Sequence, residues 1–266
     1  MKTIELEELK LIQLDILSVI DKFCREEGIK YSMGCGTMLG AARHKGYIPW
    51  DDDIDIYLLR EEYEKLIAKF PKEHDNIKIA ALQRDSKWNR AYAKAYDNRT
   101  EMQDAGNKYR IGIGIDVYPI DRVPENNEEW HKYDKKRRFY QKVYEWKISM
   151  LFRKGRKAWK YLFLPFTKLF LLPFSSRRIA KFLENYSMKH RFSNSPYVFE
   201  CCQGILQKNR FKRTTLENII DMPFEDRVFY GMKEYDEYLS NGYGNWRQLP
   251  PKEKQVAHHI FKAWWK

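Results

Sequence analysis

Apolar positions along the chain follow two rhythms. From Ile4 to Glu27 they recur at helical spacing, with Leu9, Ile12, Ile16, Val19, Ile20 and Phe23 on one side. The spacing predicts an amphipathic helix, with Glu5, Glu7 and Glu8 in the first turn, where the helix dipole favours carboxylates. Gly28 supplies the stop, and a short strand is expected over Ile29–Met33. Between Asp51 and Tyr57 the rhythm becomes alternation. An extended chain there sends Ile54 and Ile56 to one face and Asp51, Asp53 and Asp55 to the other. Arg60–Phe70 reads as a helix closed by Pro71, and Ile77–Leu82 as a strand. Arg90–Tyr96 reads as another strand, with Lys94 facing away from Ala91, Ala93 and Ala95. Ile111–Asp121 is a further apolar strand, with Asp116 between Ile115 and Val117. Glu125–Phe152 predicts a long basic helix. Ala158–Phe174 is apolar but interrupted by Pro165, Lys168 and Pro173. Near the end, Tyr243–Pro251 reads as a helix end, a turn and a proline stop. No internal repeat is present.

The alternation around Asp51 turns a structural pattern into a chemical one. Same-face neighbours on a strand lie roughly 7 Å apart. Carboxylates that close, and partly desolvated, repel one another unless a cation sits between them. Hard oxygen ligands of this kind suit magnesium or manganese; the competing reading is a solvated acidic turn. Asp116 sits in a second apolar run, and a lone buried charge needs a partner. A metal shared with Asp53 and Asp55 would supply one; so would an arginine or backbone donors at a strand end. Upstream, Gly34–Gly46 carries glycines that open a tight turn after a strand and lead into a short helix. Backbone N–H groups in such a turn hold phosphate oxygens, or simply make the turn. Arg43, His44 and Lys45 add cationic donors beside the carboxylates, although Arg43 can also pair with an Asp for structure. Lys94 reads either as a phosphate contact or as a charged edge residue.

Composition changes the picture in three places. Aromatics reach 15%, which excludes a low-complexity disordered chain, and 266 residues suffice for one large domain or two small ones. We read 1–266 as a single catalytic domain that contains a helical basic and aromatic segment over 125–190. The cysteines Cys24, Cys35, Cys201 and Cys202 match no zinc spacing and no disulfide framework. With no apolar leader in the first residues, a reducing cytoplasmic location is expected. The net charge of +12 is concentrated. Residues 131–190 hold 17 Lys or Arg against 3 Asp or Glu, leaving the rest of the chain at −2. The apolar run inside this segment is too short and broken to span a bilayer, which takes about 20 apolar residues. Flanked by Arg153, Lys154, Arg156, Lys157, Arg177 and Arg178, it reads as an interfacial segment on an anionic leaflet. A buried hairpin with a basic rim is the alternative. A nucleic-acid surface is disfavoured, because the two apolar runs prefer lipid or core.

Taken together, Gly36-Thr37-Met38-Leu39-Gly40-Ala41-Ala42-Arg43-His44-Lys45-Gly46-Tyr47-Ile48-Pro49-Trp50-Asp51-Asp52-Asp53-Ile54-Asp55-Ile56 resembles the LicD family of phosphocholine transferases. Gly114–Asp121 is similar to that family's second motif, and Tyr243–Pro251 to its C-terminal one. The resemblance implies an α+β fold, a nucleotidyltransferase-like mixed sheet flanked by helices; the basic aromatic segment is not part of the resemblance and reads as a helical insertion in that fold. It implies Asp53, Asp55 and Asp116 as catalytic metal carboxylates for magnesium or manganese, with Asp51 as an adjunct. Gly36 and Thr37 correspond to the phosphate-binding turn, and with Arg43, His44, Lys45, Asp51 and Lys94 they make the expected substrate contacts. The implied donor is CDP-choline or a related CDP-alcohol. The implied acceptor is a lipid-linked cell-surface glycan precursor of the teichoic acid type, met by a cytoplasmic enzyme on the inner face of the membrane. A choline cage would draw on aromatics such as Trp50, Trp88 or Tyr118. Two other classes stay open: a nucleotidyltransferase releasing pyrophosphate, and a non-catalytic membrane-docking protein.

Overall fold

The computed structural model of the chain describes residues 2–104, 110–149, 159–203, 209–256 and 261–266. Arg153, Lys154, Arg156 and Lys157, together with His258 and His259, which the sequence marks as ordinary surface histidines, lie outside them. The N-terminal periodicity becomes α1 (Leu6–Glu26), with Leu9, Ile12, Ile16 and Ile20 buried. It ends at Gly28, where a φ of 64° favours glycine. The expected strand Ile29–Met33 shortens to β1 (Ser32–Met33), because only these two residues find ladder partners, Tyr57 and Ile56. Next come α2 (Cys35–His44), β2 (Asp55–Leu59), α3 (Arg60–Lys69), β3 (Ile77–Ala80), β4 (Ala93–Asp97), β5 (Thr100–Asp104) and β6 (Gly114–Arg122). The basic region folds as α4 (Asn127–Ile148), α5 (Trp159–Phe170) and α6 (Ser176–Ser187). Asn126 caps α4 by accepting the N–H groups of Glu128 and Glu129, and Ser175 caps α6. The chain closes with β7 (Tyr197–Glu200), β8 (Phe211–Lys212), α7 (Thr214–Glu217), the hairpin β9 (Ile219–Phe224) and β10 (Arg227–Met232), α8 (Tyr235–Tyr243) and β11 (Phe261–Trp265).

Among the described residues a mixed seven-stranded sheet runs β1-β2-β6-β4-β3, with β7 also on β6 and β8 outside β7. β6 is its axis. One edge pairs in parallel with β2 from Asp116 to Ile120. The other edge pairs with β4 up to Val117 and with β7 from Ile120. Pro119 falls between those two ladders. The Asp116 N–H points toward β2, donating to Ile54 at 2.9 Å. By alternation the missing N–H of Pro119 belongs to the other edge, at the gap, where a central-strand proline costs no ladder bond. Helices flank the sheet, and α1, α2 and α3 pack on β6, β2 and β4. The α+β expectation stands on this mixed sheet and its flanking helices.

Two local expectations change. The acidic strand begins at Asp55, and residues 51–54 approach it as irregular chain. Asp51 N–H turns back to Ile48 at 2.9 Å, and the Gln13 amide takes up the Asp52 carbonyl at 3.1 Å, so neither backbone group reaches a ladder. The glycine segment also differs: Gly36 and Gly40 lie inside α2 rather than in a turn before it. Both are close approaches. A Cβ on Gly36 would meet Asp51 Oδ2 at 2.5 Å, and one on Gly40 would meet the Gly46 carbonyl at 2.4 Å.

Candidate active site

Register brings the candidate residues together. Asp55 is the ladder partner of Asp116, and Asp116 is the partner of Lys94 on the next strand. Ladder partners share a face, so Asp55, Asp116 and Lys94 form a row across β2, β6 and β4. Burial in β4 alternates as predicted, with Ala93 and Ala95 inward and Lys94 turned to the row. Thr37 fixes one end of the row, its hydroxyl accepting the Asp55 N–H at 2.8 Å. In the middle, Tyr118 donates to Asp116 Oδ2 at 3.3 Å. Lys94 Nζ approaches Asp116 Oδ1 at 2.8 Å, but outside hydrogen-bond alignment, so this buried oxygen has no aligned donor.

The electrostatics follow from the geometry. Burial, then the charges of Asp53 and Asp116, hold the Asp55 carboxyl well above the usual carboxylate range, although the Cys35 thiol pulls the other way. Burial and the Asp55 charge in turn push up the Cys35 thiol, whose sulfur lies 2.9 Å from the Tyr57 hydroxyl. On the irregular approach, Asp51, Asp52 and Asp53 each bring a carboxylate oxygen within 4.8 Å of the other two. A site this rich in close carboxylates, with a buried oxygen left undonated, fits a hard divalent cation.

The row lies in a cleft of about 1230 Å³. Gly36, Arg43, Asp51, Asp53, Asp55, Lys94 and Asp116 all line it, as do Trp50, Tyr57, Tyr92 and Tyr118. The C-terminal motif makes the facing wall through Tyr243, Asn245, Trp246 and residues 248–251. Arg43 ties that wall to α2, with Nη1 donating to the carbonyls of Trp246 at 2.9 Å and Gln248 at 3.4 Å. Its Nε donates to His44 Nε2 at 3.0 Å. Burial and the neighbouring Arg43 charge lower the His44 pKa, and its ring sits edge-on to Trp50.

Other sequence candidates take different places. Thr37 is buried and occupied with the Asp55 backbone, outside the cleft lining. Lys45 is the left-handed cap of α2; its side chain is exposed and its carbonyl accepts the Glu225 N–H at 2.7 Å. Trp88 belongs to the core with Leu82 and Ala180, its indole N–H donating to the Tyr92 carbonyl at 2.7 Å, and so is no part of an aromatic cage in the cleft. Conversely, Arg90 and Glu200 line the cleft without having been singled out. Arg90 donates to the Tyr92 hydroxyl, and the charges of Tyr92 and Asp116 keep its proton firmly bound against burial. Parity carried that signal: Arg90, Tyr92 and Lys94 alternate with the alanines. Glu200 accepts the Cys202 N–H at 2.6 Å and the Gln203 N–H at 2.9 Å, contacts with no local pattern.

The comparisons with known proteins fall on the same stretches. A family model described as LicD/FKTN/FKRP, nucleotidyltransferase domain, matches residues 28–158, which hold α2, the acidic approach and β2 to β6. The chain is similar over 99% of its length to the lipopolysaccharide cholinephosphotransferase LicD of Haemophilus influenzae, at 30% identity and with 99% of that protein covered. An uncharacterised protein of Rickettsia typhi is 27% identical across 50% of each chain. Another, from Rickettsia prowazekii, is 51% identical over 37 residues, 14% of each chain.

Proposed function

The chain belongs to the LicD family, and on that premise we propose that it is a phosphotransferase that moves phosphocholine from CDP-choline to a hydroxyl of a cell-surface glycan precursor, releasing CMP. The observation that carries this reading is the row Asp55–Asp116–Lys94, with its undonated Asp116 oxygen, at the floor of a large cleft. The sheet around the row is read as nucleotidyltransferase-like, and the reaction as cytoplasmic.

Asp53, Asp55 and Asp116 would hold a magnesium or manganese ion, with Asp51 beside them. When bound, such an ion neutralises the donor diphosphate and stabilises the charge that builds on the departing phosphate. The remaining work falls to side chains. Lys94 and Arg90 supply positive charge on the β4 side of the row, where phosphate oxygens need it. Gly36, lacking a Cβ, lets the Asp51 carboxylate pack against the start of α2. The trimethylammonium group suits an aromatic face such as Trp50. The acceptor oxygen attacks the phosphorus that bears choline, the bond to the CMP oxygen breaks with its electron pair, and Asp116 takes the hydroxyl proton.

The deciding experiment is incubation with CDP-choline, magnesium and glycan acceptors, following nucleotide products by chromatography. CMP appearing in step with acceptor modification is expected. Pyrophosphate released from a nucleoside triphosphate, with no CMP from CDP-choline, would replace this reading with nucleotide transfer. No nucleotide product from either would point to a non-catalytic protein.

A further inference from the structure

We propose that the outward face of α4, α5 and α6 is a docking surface for an anionic lipid bilayer. The inference rests on that surface alone and is independent of the reaction assigned to the cleft. Where α5 runs into α6, Phe166, Leu169, Phe170, Leu172 and Phe174 are 43–79% exposed. Soluble proteins expose single large apolar side chains freely but rarely so many together. The turn is not a loose excursion, since Lys147 Nζ pins it to α4 by donating to the Leu171 carbonyl at 2.9 Å. On α4 itself Lys135, Phe139, Lys142 and Trp146 are all exposed, at spacings that put them on one helix face. The stripe continues onto α6, where Phe182, 51% exposed, meets the Tyr140 ring edge-on at 4.8 Å beside exposed Arg178 and Lys181.

Charge selects the occupant. Residues 131–190 carry 17 basic side chains and 3 acidic ones. Two of the three acidic residues face inward: Asp134 pairs with Arg137 and Arg138, and Glu184 with Arg60 and Gln83. Among the described residues of this span, Lys132, Lys135, Lys136, Lys142, Arg178 and Lys181 are exposed, and Glu145 is the one exposed acidic side chain. A second copy of the same face would bring like charge against like. A headgroup layer is acidic, broad and tolerant of inserted aromatics, which matches alternating lysines and phenylalanines. No described helix is long and apolar enough to cross a membrane, so the helices would lie on the surface. They also grip the rim of the cleft. Arg177 donates to the carbonyls of Leu82, Asp85 and Trp88, and Tyr144 to that of Asn89 at 2.7 Å. The next residue is Arg90, so a docked bilayer lies against the helices that support that edge of the cleft.

The test is co-sedimentation of the full chain with vesicles of phosphatidylcholine alone or mixed with phosphatidylglycerol. Binding to the mixed vesicles only is expected, falling severalfold as salt rises, because exposed charges are screened over about 8 Å at physiological ionic strength. K135Q and K142Q, both on an exposed helix face, should each weaken binding about fivefold, and F170S should weaken it further, all with unchanged melting temperature. Equal binding to both vesicle types, binding to neither, or binding untouched by K135Q and K142Q overturns the proposal. So does concentration-dependent self-association in light scattering that F170S abolishes, which would assign the face to a second copy.

Discussion

Asp116 and Asp121 stand five residues apart on β6, an odd spacing that turns them to opposite faces of the sheet. Asp121 meets Arg60, whose Nε and Nη2 each donate at 2.7 Å, a bidentate pair with both side chains buried. Burial works to strip the Arg60 proton, and the Asp121 charge overrides it. Asp116 meets an amine at the same range of distance but off alignment, and a carboxyl partner that burial keeps reluctant to ionise. On one face both carboxylate oxygens are closed by a guanidinium fork; on the other, one oxygen accepts from Tyr118 and the second has an ammonium beside it without an aligned donor. Opposite charge lies close to both carboxylates; what differs is the completeness of their hydrogen bonding.

That contrast should split cleanly on mutation. Asp116→Asn is expected to lower kcat for CMP release by about a hundredfold or more while leaving the melting temperature close to that of the parent. Near-parental turnover at saturating magnesium would remove Asp116 from the chemistry. Asp121→Ala should do the reverse. Removing one partner of a buried pair costs about 3–5 kcal/mol, read as a lower denaturation midpoint, with the folded fraction still turning over. If Asp121→Ala leaves stability intact, the fork is not what holds α3 to β6.

A smaller effect separates Asp55 from both. Its carboxyl pKa is raised in the folded chain, chiefly by burial and then by Asp53 and Asp116. The folded state therefore binds that proton more tightly than the unfolded one. Stability from this group is full below the ordinary carboxylate range and is lost as pH rises through the folded value. Asp55→Asn should thus raise the melting temperature at neutral pH in a chelator, and the gain should shrink as pH falls toward that range. Magnesium should stabilise the parent by mass action and the Asn variant less. A metal response equal in the two would exclude Asp55 as a ligand.

Local rhythm made much of this visible. The α1 stripe, the Lys94 alternation and the Asp116 strand need only neighbours in sequence, and the structure keeps them. The misses have long-range causes. Nothing in Thr100–Asp104 announces a strand, because β5 exists through β11, some 160 residues later. The hairpin from Ile219 to Met232 passed unread for a related reason: its place is set by Glu225, which reaches the chain at Lys45 and Tyr47. Gly36 was legible as special but not as helical, since its reason is the Asp51 carboxylate packed against it. Trp88 sat near the motif in sequence and in the core in space.

β11 also fixes when the cleft comes into being. The strands β1, β2, β3, β4 and β6 all come from residues 32–122, so the row of carboxylates can assemble once that part of the chain has been synthesised. The facing wall, 243–256, is held at one end by Arg43 and by Trp246 in the core, and beyond its other end the chain is anchored by β11, which pairs with β5 and whose Ala263 carbonyl accepts the Ile4 N–H at 2.9 Å. Translation must therefore run on for roughly ten seconds after those five strands are made before the wall follows. Throughout that interval a nascent chain carries its acidic row open to water and without the second wall, unable to enclose a donor. A ribosome stalled before Phe261 displays the carboxylate row beside a second wall that is anchored at one end alone.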